Sequence, residues 1–85
     1  MIKTLRPRDY DEAIYIGHYF CEGFTVVMDL TGLTSEQARS FVDFASGLVI
    51  GRDGGMERVA PRVFVLRQPA GRPVSVVNPP ATTPA

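Results

Sequence analysis

Five of the seven prolines fall in the C-terminal stretch Gln68–Ala85, QPAGRPVSVVNPPATTPA. Proline removes a backbone donor and fixes φ. With few large apolar groups beside it, this stretch has the composition of a disordered tail. Folding is thereby confined to residues 1–68, with 69–85 as the proline-rich tail. That is one domain at most. A core so small is thin, and association is a common remedy, so dimerisation is expected before any motif is read.

Within residues 1–68 the pattern alternates between strand and helix. Ile2–Arg6 is a short strand candidate, ended by Pro7. Asp9 followed by Glu12 gives a D-x-x-E capping box, and Asp11 and Glu12 suit the positive end of a helix dipole. Ala13, Ile16, Gly17 and Phe20 then form one stripe at helical spacing, and Gly23 supplies the stop. Gly17 costs about 1 kcal/mol against Ala inside a helix, which marks it as a close approach to the sheet. Phe24–Leu30, FTVVMDL, is a buried strand. Strand, helix, strand in this order predicts a parallel pair with a right-handed crossover. Thr34-Ser35-Glu36-Gln37 is a second capping box, and a helix to about Ser46 places Ala38, Phe41, Val42 and Ala45 on one face, with Phe44 off it. Gly47 reads as its C-cap, Leu48–Gly51 as a third strand, and Met56–Ala60 and Arg62–Gln68 as the fourth and fifth. In the last of these, Val63 and Val65 share one face with Arg67, and Phe64 and Leu66 share the other. Both faces are partly apolar, as in a strand covered on two sides.

The segment LVIGRDGGMERV, Leu48–Val59, admits two readings. A G-x-x-G loop at Gly51–Gly54 between helices would clamp a nucleic-acid backbone, as in KH domains. Asp53-Gly54 between two apolar runs would instead be a hairpin turn. After Gly55 only MERVA precedes Pro61, barely more than one helical turn, and Asp53 would set a carboxylate against phosphate. The turn chemistry favours the hairpin.

Nine basic and nine acidic residues balance overall. Residues 1–50 carry four basic and seven acidic groups, whereas 51–85 carry five arginines against Asp53 and Glu57. The second part is mildly basic and suits an acidic partner, but the excess is far below that of nucleic-acid binders. Cys21 is alone, so an internal disulfide and a Cys-based zinc site are excluded. No apolar run reaches membrane-spanning length, and the N-terminus MIKTLRPRDYDE turns charged at once, so a cytoplasmic location is expected.

The order strand, helix, strand, helix, strand, strand, strand carries motifs that resemble the core of SepF, a bacterial cell-division family. PRDYDEA resembles the opening of its first helix and VVMDLTGL its central strand. EQARSFVDFASGLV is similar to its A-x-R-x-V-D-F-x-x-G helix, and GGMERVAPRVFVL resembles its closing hairpin. The likeness runs over about residues 3–68. It implies an α+β fold, a two-layer αβ sandwich with a small mixed sheet and two helices on one side. It also implies a non-enzymatic adaptor without cofactor or metal, a homodimer or a heterodimer with another SepF, that binds the C-terminal peptide of FtsZ at the division site. Carried onto this chain, it points to Arg58 and Phe64 for the peptide and to Phe41, Phe44 and Gly47 for the dimer. An arginine can pair with carboxylates of an acidic peptide, and an aromatic can anchor it. Family members carry an amphipathic membrane-binding helix and a linker before this core. Because the chain starts almost at the core, no membrane contact by this chain alone is expected, and no nucleic-acid partner.

The first helix adds a further candidate contact face, Ile14, Tyr15, His18 and Tyr19, apolar where a charged outer surface is expected. Such a face suits a paralogue that modulates another SepF. His18 and Cys21 lack the orienting third group of a nucleophilic pair and read as packing. Asp43 is either a helix-fixing carboxylate or a solvated one.

Overall fold

A computed structural model describes residues 1–69; the proline-rich stretch from residue 70 on lies outside the described residues. The elements run β1 (Ile2–Leu5), α1 (Ala13–Cys21, entered through a 3₁₀ turn Tyr10–Glu12), β2 (Thr25–Asp29), α2 (Ser35–Gly51), β3 (Gly55–Ala60) and β4 (Val63–Arg67). The sheet order is β1-β2-β4-β3. β1 pairs parallel to β2 and the other pairs are antiparallel. This is the expected α+β fold, a mixed sheet with two helices, but with four strands where the sequence predicted five.

Register decides which face is core. Val26 pairs with Leu66 and Met28 with Phe64, and all four are buried. Ile16 and Phe20 of α1, and Phe41, Ala45 and Val49 of α2, pack into the same cluster. The alternate positions, Val27, Val63 and Val65, lie half-buried on the other face, which neither helix covers. The expectation that the last strand is covered on two sides is therefore corrected to one within the protomer.

Leu48–Gly51 is not a strand but the last turn of α2. Ala38, Phe41, Ala45 and Val49 recur at spacings of three and four and are all buried. Burying Val49 outweighs the β preference of a short apolar run. Gly47 is accordingly mid-helix rather than a cap, and it faces open space.

The GRDG segment is neither a phosphate clamp nor a hairpin. The Asp53 N–H donates to the Ile50 carbonyl at 3.3 Å and the Gly54 N–H to the Val49 carbonyl at 2.7 Å. Asp53 sits at φ 58°. Together these form a Schellman stop with Asp in the left-handed position usually taken by Gly. α1 ends the same way, with Gly23 at φ 99°, Gly23 N–H to the Phe20 carbonyl at 3.1 Å and Phe24 N–H to the Tyr19 carbonyl at 3.1 Å. A strand, β3, follows Gly54 where a KH domain requires a helix, so the KH-like reading of Gly51–Gly54 is corrected too. Gly54 itself is needed for close approach. A Cβ there would meet the Arg67 carbonyl oxygen and lie 2.8 Å from Phe20 Cζ.

Both N-termini are capped by side chains. Thr34 and Gln37 form the full reciprocal box. At α1 the box is shifted. The Asp9 carboxylate accepts from the Asp11 N–H at 3.0 Å, and Glu12 reaches back to the Arg8 N–H, not that of Asp9, at 2.9 Å. The Arg8 guanidinium also donates to Glu12 at 2.7 Å, and these bonds hold the Glu12 carboxyl below its usual range. Asp11 and Glu12 thus serve the helix start. Gln68 closes the other end, its Nε2 donating to the Phe20 and Phe24 carbonyls at 2.8 and 2.6 Å.

Candidate functional site

The Thr34–Gln37 box sets the phase of α2. Ala38 and Phe41 turn inward, and Arg39 and Val42 flank a groove of about 260 Å³ that runs between α2 and the β3–β4 hairpin. The hairpin supplies the other wall. Arg58 on β3 stands opposite Phe64 on β4, with its guanidinium carbon 5.2 Å from the Phe64 ring centroid. The register slips by one residue between Arg58 and Ala60, leaving Val59 as a bulge, 53% exposed. A bulge bends an edge strand and re-aims its neighbours, and it also blunts the edge against stray strand pairing.

Arg62 holds the two walls at their separation. Its Nη1 donates to the Leu33 carbonyl at 2.6 Å and its Nη2 to the Ser35 hydroxyl at 3.1 Å, and its own carbonyl accepts from the Leu30 N–H at 2.7 Å. The β3–β4 turn is thereby tied to the loop before α2. The groove has an apolar floor of Ala38, Val42 and Phe64 with arginines 39, 58 and 62 around it, and none of its lining residues is acidic. An apolar floor inside a guanidinium rim suits an extended segment that offers an apolar side chain and carboxylates. The sequence-derived pair Arg58 and Phe64 thus comes together in one groove. Phe64 is 6% exposed, so it is core and floor at once rather than an exposed anchor. Arg39, Arg62 and Ser35 were not singled out from the sequence. The Arg62 contacts span about thirty residues of chain, and no local pattern encodes them.

The residues expected at a dimer contact divide. Phe41 has no exposed surface and packs against Tyr10 with ring centroids 5.2 Å apart and planes tilted by 59°, so within the protomer it belongs to the core. Phe44 is half-buried, edge-on to Tyr10 at 6.5 Å, and Gly47 is exposed with no atom within 4 Å of a Cβ. The α1 face also divides. Ile14 and His18 line a wide groove of about 620 Å³ with Gly17, Cys21 and Phe44. Tyr15 and Tyr19 turn instead toward β1, with Tyr19 under the Lys3 ammonium at 4.8 Å and edge-on to Phe24 at 5.3 Å. Gly17 does mark a close approach, but to Phe44 of α2 rather than to the sheet: Phe44 Cζ lies 3.4 Å from where a Cβ would stand. His18 and Cys21 share the groove without a side chain bonded to the imidazole among the described residues, so nothing orients them as a nucleophilic pair. Asp43 is exposed and solvated.

Asp29 closes the far end of β2. It accepts from the Thr31 hydroxyl at 2.7 Å and the Thr31 N–H at 3.0 Å, and pairs with Arg6 at 3.1 Å. These contacts, Thr31 foremost, hold its carboxyl below the usual range. Among the described residues no helix is long and apolar enough to cross a membrane.

Comparison with known proteins places this geometry. The sequence profile for "Cell division protein SepF" matches residues 2–70. Over 65 residues the chain is 49% identical to a Cell division protein SepF from Thermobifida fusca, covering 76% of this chain and 38% of that one. It is 51% identical over 65 residues to Cell division protein SepF 2 from Streptomyces avermitilis, covering 76% and 30%. The chain therefore spans about a third of the length of these relatives. A solved SepF-like protein from Archaeoglobus fulgidus superposes with a TM-score of 0.69 at 15% identity, covering 92% of this chain and 98% of that one, which shows the fold. The profile match across residues 2–70 and identity near 50% over 65 residues agree: this chain belongs to the SepF family of cell division proteins.

Proposed function

We propose that this chain acts as a non-enzymatic cell-division adaptor that dimerises and binds the C-terminal peptide of FtsZ, helping to organise or tether the division ring. One observation carries the reading: Arg58 lies over Phe64 at the edge of a groove whose rim is basic and whose floor is apolar. Arg58 pairs with a peptide carboxylate, and the floor takes an adjacent apolar side chain. The dimer contact centres on Phe44 and Gly47, where the open glycine lets a second helix approach closely. Its place of action is then the division site.

Calorimetric titration with the FtsZ C-terminal peptide from the same cell tests the reading. Saturable binding to the wild type, lost in Arg58→Glu with an unchanged unfolding midpoint, supports it. A folded wild type that gives no heat of binding sinks it.

A second reading is favoured by a different observation. Ile14 is 69% exposed on α1, beside the groove that it lines with His18, Cys21 and Phe44. A paralogue that modulates another SepF by heteromeric association would use such a face and leave FtsZ alone. Co-purification with a second SepF, combined with no peptide binding, is its signature.

A further inference from the structure

We infer that Arg39 is a specificity-determining residue of the groove: it reads a second carboxylate of the docked segment, so that the groove selects a segment carrying two carboxylates on either side of an apolar side chain. This rests on the peptide-binding reading above and extends it to the pattern of charge in the ligand.

The argument begins with which guanidiniums are already occupied. Arg62 donates to the Leu33 carbonyl and the Ser35 hydroxyl, so its donors serve the fold. Arg6, Arg8 and Arg67 are paired with Asp29, Glu12 and Glu57, away from the groove. Arg39 and Arg58 line the groove and stand in no ion pair among the described residues. Glu36 and Asp43 are the carboxylates nearest in sequence to Arg39 on α2. They line the adjoining surface with it, and neither pairs with it.

Arg58 projects from β3 and Arg39 from α2, so the two free guanidiniums belong to opposite walls with Phe64 and Val42 between them. A segment lying across the floor covers both. One carboxylate satisfies one arginine only, and the other is then stripped of water without a partner. A site built to bond a polar group rejects the analogue that lacks it. Arg62, by fixing the separation of the walls, fixes the spacing of the carboxylates that fit.

The test is a set of titrations with the FtsZ C-terminal peptide. Wild type, Arg39→Gln and Arg58→Gln are each titrated with the natural peptide and with versions in which one carboxylate at a time is replaced by its amide. Arg39 is exposed on a helix and Gln is a good helix former, so folding is expected to hold and is checked by thermal unfolding. Arg39→Gln should weaken the natural peptide about tenfold, as for loss of a charged hydrogen bond. One amide substitution should then cost nothing further in Arg39→Gln, and a different one nothing further in Arg58→Gln. If Arg39→Gln binds every peptide as the wild type does while Arg58→Gln is weakened, this inference fails and the adaptor reading stands. Equal loss for all peptides in Arg39→Gln also overturns it, since no single carboxylate is then being read. A wild type that binds no peptide removes the adaptor reading, and this inference with it.

Discussion

Phe64→Ala should unfold much of the protein before it says anything about binding. Phe64 is 6% exposed, pairs across the sheet with Met28 and belongs to the central cluster, yet its ring also floors the groove. Removing a buried phenylalanine side chain costs about 3–5 kcal/mol. A domain of this size has a total stability of roughly 3–10 kcal/mol. At about 4–8 °C per kcal/mol, the unfolding midpoint should drop by roughly 12–40 °C. Arg58→Gln removes only an exposed side chain and a cation–π contact of about 0.5–1 kcal/mol, so its midpoint should fall by less than about 8 °C. Phe64→Leu keeps most of the volume and should cost about 1–1.5 kcal/mol. The assay is thermal and urea unfolding by circular dichroism at one fixed protomer concentration, since dimerisation would shift the midpoint with concentration. Peptide titration follows, below each variant's midpoint. A Phe64→Ala midpoint within about 4 °C of the wild type would refute the core assignment. Phe64→Leu, folded and binding as the wild type does, would refute the ring as the groove floor.

Other expectations follow from single contacts. Gly54→Ala drives a methyl into the Arg67 carbonyl and Phe20, and should cost about 1–3 kcal/mol in urea unfolding, whereas Gly51→Ala meets nothing within 4 Å and should not destabilise. Asp53→Gly relieves a left-handed non-glycine residue at the helix stop, and should raise the midpoint by a few degrees. Gly47→Lys should leave the fold intact, because the position is open, and convert any dimer to monomer by analytical ultracentrifugation; a persisting dimer would move the interface elsewhere. Asp29 has a folded pKa below its ordinary 3.8, so its contribution is complete above that range and lost as pH falls through the folded value. Asp29→Asn should thus melt below the wild type at pH 7, the gap closing in strong acid; a gap unchanged at the lowest pH would show that charge is not what matters there.

Much of this architecture was legible along the chain because its causes are local. The Thr34–Gln37 box, the Gly23 stop and the β-branched run of Thr25–Asp29 are written within a few residues of where they act. The apolar stripe from Ala13 to Phe20 names its own buried face. LVIG could not be resolved that way. Its apolar residues fit a strand as well as a helix, and the outcome turned on Val49 reaching the core one turn beyond Ala45. The same uncertainty made Asp53-Gly54 resemble a hairpin, since a left-handed Asp serves either structure.

Sequence alone determined that this chain would make a small α+β core with a helix-capped order of elements, and its motifs brought Arg58 and Phe64 forward. Only the tertiary structure decided that Leu48–Gly51 closes α2, that Tyr15 lies toward β1 while Ile14 lines a groove with Phe44, and that Arg39 joins Arg58 across one groove. The reason is physical. Caps and periodicities act over a few residues, whereas a groove is made by walls from α2 and the β3–β4 hairpin, joined through an arginine whose partners lie about thirty residues away.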